Sequence, residues 1–164
     1  MNRPVIRLIP SRLARLLDGL SFAGLIFIWI FCIVQYTKLP EVIPIHFTSS
    51  GDADNHGSKS TLFLLPVIIT FVFVLLTILN RYPHIFNYPQ SITEANAKAM
   101  YTSATTLLRI IKLIIVVFTM LIMIEMIRSA RAGHSQLTWW FIPAFVLSLL
   151  IPVVISIYTS FKKK

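Results

Sequence analysis

The sequence has little charge, and this shortage excludes a soluble protein. Only 13% of its 164 residues are charged, whereas 56% are hydrophobic and the mean hydropathy is +0.78. Soluble domains have about 25% charged and about 45–50% apolar residues. The composition therefore indicates a membrane protein, and the length fits a single membrane domain over residues 1–164.

Acidic residues and cysteine are also scarce. Six Asp and Glu stand against fifteen Lys and Arg, which gives a formal net charge of +9. No segment interleaves basic residues with stacking aromatics, so we predict no nucleic-acid partner. A single cysteine, Cys32, lies in an apolar run. An intrachain disulfide is therefore excluded, and a packing role is favoured over a reactive thiol.

Four hydrophobic runs are each close to the roughly 20 residues that cross a bilayer. They predict transmembrane spans at about 20–36, 60–79, 107–127 and 137–158. The predicted fold class is all-α: a polytopic membrane protein of four transmembrane helices, with a short extended loop between the first two.

The distribution of Lys and Arg predicts the orientation. With the N-terminus inside, eleven of these residues lie on the cytoplasmic side and four on the opposite side, as the positive-inside rule requires. Both termini and the segment 81–106 are thus expected in the cytoplasm, and the loop 37–59 outside. Residues 2–18 form a basic amphipathic segment, with Ser11 as a helix cap, that we expect to lie on an anionic inner leaflet.

The cytoplasmic segment 81–106 contains prolines at positions 83 and 89, followed by good helix formers. This pattern predicts turns, then a helix that begins near Thr93 and continues into the third span. Arg109 and Lys112 lie on one face of that helix. We expect them to reach the inner headgroups rather than to form a buried ion pathway.

The outer loop 37–59 holds most of the polar chemistry. Its apolar residues Ile43, Ile45 and Phe47 alternate with other types, which predicts a short extended segment. The candidate ligand-binding residues of this loop are His46, Asp52, Asp54, Asn55 and Lys59.

The polar residues of this loop could bind calcium, bind zinc or form a hydrogen-bonded turn. A calcium loop is disfavoured because its twelfth position is Phe63 rather than Glu. Zinc could be held by His46, His56 and a carboxylate such as Asp54, although the spacing matches no standard signature. A hydrogen-bonded turn with Asp side chains capping local amides is favoured, and we predict no metal and no cofactor.

The loop resembles the signature of the SdpI-like integral membrane family, whose shared domain has no known function. The resemblance is carried by Leu39, Pro40, Ile43, Pro44, His46, Phe47, Gly51, Asp54, Gly57, Ser58, Lys59 and Pro66. In that family the motif joins the first two helices on the outer side. Its named member is a bacterial immunity protein that gives protection from a secreted peptide toxin and takes part in signalling. His56 departs from the family pattern, which more often has an aromatic residue there.

The resemblance implies a non-enzymatic protein of a bacterial inner membrane that binds a peptide toxin or a lipid-linked ligand at its outer loop. A metal-dependent membrane enzyme that uses the same loop and a small transporter subunit are the alternatives. The sequence leaves open whether the protein forms a homo-oligomer or binds a partner membrane protein. Replacement of His46 or Asp54 by alanine is expected to impair function more than Asp18→Ala or Lys163→Ala.

Two arginines after the third span complete the candidate site. Arg128 and Arg131 lie on the predicted outer side, as do Asp52 and Asp54. Pairing between these arginines and carboxylates would join the two outer loops. The alternative, slightly favoured, is that Arg128 pairs with Glu125 three residues earlier while Arg131 contacts lipid phosphates.

Overall fold

The computed structural model describes residues 3–48, 50–132 and 140–161. Its helices are α1 (Arg12–Tyr36), α2 (Leu64–Leu79), α3 (Glu94–Ala132) and α4 (Phe141–Ser160). Its strands are β1 (Val42–Phe47) and β2 (Ala53–Ser58), and 3₁₀ turns cover Lys59–Phe63 and Pro83–Ile85. Four helical segments are long and apolar enough to cross a membrane. This confirms the predicted fold class and makes the chain a multi-pass membrane protein.

Helix α1 begins where the sequence predicts. The Ser11 side chain accepts a hydrogen bond from the Ala14 amide at 3.1 Å and so caps the helix. The expected amphipathic segment is not a separate surface helix, however. Residues 3–11 form neither helix nor strand, and residues 12–18 are the first turns of one continuous 25-residue helix. Pro10 excludes helix before this point, and the Leu-, Ala- and Arg-rich residues after it favour helix.

Helix α3 is the central element of the bundle. It starts after Thr93, as predicted, where the Thr93 amide donates to Asn96 Oδ1 and the Asn96 amide donates to Thr93 Oγ1. At 39 residues it extends about 58 Å at 1.5 Å per residue, about twice the hydrocarbon thickness. Helix α3 packs against α1, α2, α4 and β1.

The loop between α1 and α2 is an antiparallel hairpin of β1 and β2. The sequence predicts the extended β1 segment, but β2 has the sequence ADNHGS, and its Asp, Asn and Gly residues are depleted in strands. Gly51 turns the chain with a φ of 95°, a value that glycine adopts without strain. Ile43 is fully buried and joins the core of Ile28, Leu62 and Met123, so the hairpin is fixed to the end of the bundle.

Helix α4 contributes little to this core. Only 6% of the residues in its most apolar stretch of 18 are buried inside the protein. Large apolar side chains such as Leu147, Ile151 and Val154 are exposed. In a membrane-spanning helix such side chains suit contact with lipid acyl chains.

Candidate functional site

The hairpin brings two of the predicted site residues into direct contact. Nδ1 of His46, on β1, lies 2.5 Å from Oδ1 of Asp54, on β2. His46 and Asp54 keep 65% and 46% of their side-chain surfaces accessible. Because Nδ1 is engaged by the carboxylate, Nε2 of the imidazole is the nitrogen left to meet a ligand. The result is an exposed, oriented polar pair.

A small apolar cavity lies next to this pair. It has a volume of about 250 Å³ and is bounded by β1 and by the adjoining ends of α2, α3 and α4. Its lining includes His46 itself, together with Leu65, Met126 and Phe141. A polar pair at the edge of an apolar cavity is suited to a ligand with both characters.

Lys59, another predicted ligand-binding residue, makes structural contacts within the hairpin, and its binding of a ligand stays a prediction. Its Nζ donates to Glu41 Oε1 at 2.8 Å and lies 5.0 Å from the centre of the Tyr36 ring. Its side chain is only 17% exposed. Gly57 is also structural, because a Cβ there would lie 2.9 Å from Cδ1 of Ile45. These motif residues explain why the hairpin has a fixed shape.

The remaining polar residues of the hairpin are placed differently. The Asp52 carboxylate accepts a hydrogen bond from Ser50 Oγ at 2.9 Å and thereby closes the turn. The donor is a hydroxyl rather than a backbone amide, so this bond differs from the amide capping that the sequence favours for an Asp in this loop. Asn55 and His56 are exposed on β2, and neither lines the cavity.

The three candidate zinc ligands do not come together. His46 contacts Asp54, but His56 pairs in register with Pro44. Over residues 3–48, 50–132 and 140–161, no group of three His, Cys, Asp or Glu side chains could hold a metal ion.

Arg128 and Arg131, at the end of α3, have partners other than the hairpin carboxylates. Arg128 pairs with Glu125 at 3.1 Å, three residues earlier on the same helix. The Arg131 guanidinium donates to Gln35 Oε1 at the end of α1. The pairing of the hairpin with the arginines is therefore wrong, and the local alternative for Arg128 is right. Arg131 links α3 to α1, and its contact with lipid phosphates stays a prediction.

An ion cluster that the sequence does not predict lies at the opposite end of the bundle. The Asp18 carboxylate accepts from Arg109 Nε and from Lys112 Nζ, each at 2.8 Å. Lys112 is 2% exposed and also contacts Thr77 Oγ1 and the Phe73 ring. The expectation that Lys112 reaches the headgroups is wrong, because its ammonium is buried and paired with Asp18 of α1. Arg109 is also paired with Asp18, and its contact with headgroups stays a prediction. The only sequence signal was an unpaired acid near the start of a span, where ionisable residues are costly unless paired.

Comparisons with known proteins match a part of the chain that includes the hairpin. Residues 23–70 match a family model described as a domain of unknown function (DUF1648). The match covers most of α1, the hairpin and the first part of α2. An uncharacterized protein of Archaeoglobus fulgidus is 30% identical over 78 residues, which are 43% of this chain and 43% of that protein. The aligned region thus spans less than half of that relative's length. No solved structure matches.

Proposed function

We propose that this chain is a non-enzymatic inner-membrane protein of a bacterium that binds a secreted peptide or a lipid-linked ligand at its outer surface. The observation that carries the proposal is the exposed His46–Asp54 pair beside an apolar cavity. The likeness of the hairpin motif to the SdpI-like family supports a role in immunity to a secreted toxin, with signalling as an associated role.

The chemistry of the site favours an amphipathic ligand. The His46 imidazole presents a hydrogen-bond acceptor and the Asp54 carboxylate presents a negative charge. Both suit the amide N–H groups or the amines of a peptide. The cavity beside them suits one apolar side chain or the start of an acyl chain, since 250 Å³ is at the small end of ligand pockets.

The hairpin is held rigidly enough to present this site without rearrangement. Ile43 is buried in the core, Lys59 is paired with Glu41, and the Lys59 amide donates to the Glu41 carbonyl at 2.9 Å. A site on an anchored element loses little conformational entropy when a ligand binds.

No observation favours the metal-dependent enzyme, since the described residues bring only His46 and Asp54 together out of its candidate ligands. Nor do the described contacts favour a transporter subunit. Asp18, Arg109 and Lys112 are paired with one another rather than arranged along the span.

Survival of the host in its own conditioned medium tests the proposal. Cells that lack the gene receive plasmid copies and are exposed to medium from a stationary culture of the same strain. We expect the wild-type copy to restore survival, and His46→Ala or Asp54→Asn to lower it by at least about tenfold, the effect of losing about 1.4 kcal/mol of binding.

The hairpin supplies matched controls for this experiment. His56→Ala removes a second exposed histidine that does not line the cavity, and Asp52→Asn keeps an acceptor for Ser50. Both should restore survival at membrane levels equal to the wild type. Full protection by His46→Ala would contradict the site, and unchanged survival of cells that lack the gene would contradict the immunity role.

A further inference from the structure

A second cavity lies at the end of the bundle that contains the Asp18 cluster. It has a volume of about 410 Å³ and is bounded by the segment before α1, the residues just after α2 and the first half of α3. Three arginines line it, one from each of these parts: Arg7, Arg81 and Arg109. It is remote from the hairpin, so the inference is independent of the proposed function.

The charge in this cavity is mostly uncompensated. Arg109 is held by Asp18 and by the Thr105 carbonyl, which engage two of its five N–H donors. Within the described parts of the chain, the side chains of Arg7 and Arg81 are exposed and contact no carboxylate. Three arginines line the cavity, and one carboxylate, that of Asp18, pairs with one of them. The cavity therefore keeps a net positive charge for a ligand to neutralise.

The backbone adds to this positive character. Ser11 and Ala14 line the cavity, so the first turn of α1 opens onto it. The N-terminus of a helix carries a partial positive charge and attracts anions. Guanidinium groups match the oxygen geometry of phosphate through paired N–H donors.

The position of the segment before α1 is fixed by its own contacts. Arg3 Nη1 donates to the carbonyls of His84 and Phe86, and its guanidinium lies 5.7 Å from the centre of the Tyr88 ring. Tyr101 OH donates to the Pro4 carbonyl at 3.0 Å. These contacts fix the chain just before Arg7, which lines the same cavity as Arg81.

We propose that this cavity binds a phosphate group, carried either by an anionic phospholipid of the adjacent leaflet or by a soluble phosphate ester. The arginines contact the phosphate oxygens. Ile6, Leu8 and Ile9, which also line the cavity, contact the apolar part of the same molecule. The two sources share this chemistry and differ in whether acyl chains are needed for binding.

Native mass spectrometry of the full-length protein in detergent tests the proposal. The probes are phosphatidylglycerol, diacylglycerol without a phosphate, and sn-glycerol 3-phosphate. We expect one saturable phosphate-containing adduct and none with diacylglycerol. The Arg7→Gln/Arg81→Gln double variant should bind the same probe at least about tenfold more weakly. Arg109 is left intact because it also holds Asp18.

Arg12→Gln is the control for loss of an arginine charge. It removes one charge, against two in the double variant, from an exposed residue of α1 that does not line the cavity. Binding of phosphatidylglycerol alone would identify a lipid site, and binding of glycerol 3-phosphate with the same arginine dependence would identify a soluble ester. An equal loss in Arg12→Gln, or unchanged binding by the correctly folded double variant, would overturn the proposal.

Discussion

Replacement of Asp18 by asparagine is expected to prevent normal accumulation of the protein in the membrane. The Asp18 carboxylate holds both Arg109 Nε and Lys112 Nζ at 2.8 Å. Asparagine keeps an amide oxygen that can accept a hydrogen bond, but it removes the negative charge. The 2% exposed Lys112 then stays beside the Thr77 hydroxyl and the Phe73 ring without its counter-ion. Loss of one partner of a buried pair costs about 3–5 kcal/mol, and the 39% exposure of the Asp18 side chain suggests the lower end, about 3 kcal/mol.

The measurement is the thermal midpoint in detergent, together with the amount of protein in the membrane. Glu94→Gln is the control, because it removes an acid from the exposed first turn of α3. Adding Lys112→Met to Asp18→Asn should recover part of the loss, since no unpaired ammonium is then left buried. If Asp18→Asn behaves like Glu94→Gln, the cluster does not stabilise the bundle. Asp18→Ala, which the sequence suggests as a harmless control for the hairpin, is unsuitable for that purpose.

Replacement of Gly24 by alanine is expected to destabilise the contact between α1 and α3. A Cβ at Gly24 would lie 2.7 Å from Cγ1 of Val116, which is 2% exposed and has no room to move. Overpacking of this kind costs about 1–3 kcal/mol. Close approach at a small residue is a general means of packing helices in membranes. We therefore expect that adding this single methyl group lowers the thermal midpoint of the protein.

Gly19 provides the matched control on the same helix. A Cβ there meets nothing within 4 Å, so Gly19→Ala should be neutral or stabilising by up to about 1 kcal/mol through helix propensity. Adding Val116→Ala to Gly24→Ala should restore stability by removing the clashing methyl group. Equal midpoints for Gly24→Ala and Gly19→Ala would show that α1 and α3 are less closely packed at this point.

The helices could be predicted from sequence because their signals are local. Hydrophobic length marks the four spans, and caps at Ser11 and Thr93 mark where α1 and α3 begin. Strand β2 could not be predicted in this way. Its residues are poor strand formers, and β2 is extended because Gly51 turns the chain back along β1.

The tertiary roles of charged residues were the hardest to predict. Asp18 and Lys112 are 94 positions apart, and no local pattern connects them. Lys59 belongs to the hairpin motif, and its contact with Glu41, 18 residues away, is equally absent from any local pattern. The prediction of His46 and Asp54 as a site stays a prediction, although their contact follows from a hairpin register that the sequence did not show.

The proposed function requires that the hairpin faces the outside, where a secreted ligand can reach it. The arginine-lined cavity, at the other end of the bundle, then faces the cytoplasm. Labelling of introduced cysteines in intact cells with a membrane-impermeant maleimide tests this most directly. Ser50→Cys and Lys98→Cys are suitable because both residues are exposed, whereas Asn96 is only 8% exposed and would label poorly on either side.

The native Cys32 is buried and is replaced by serine in both variants. We predict that Ser50→Cys reacts in intact cells and that Lys98→Cys reacts only after the cells are made permeable. Labelling of Lys98→Cys but not Ser50→Cys in intact cells would place the hairpin in the cytoplasm and contradict the account.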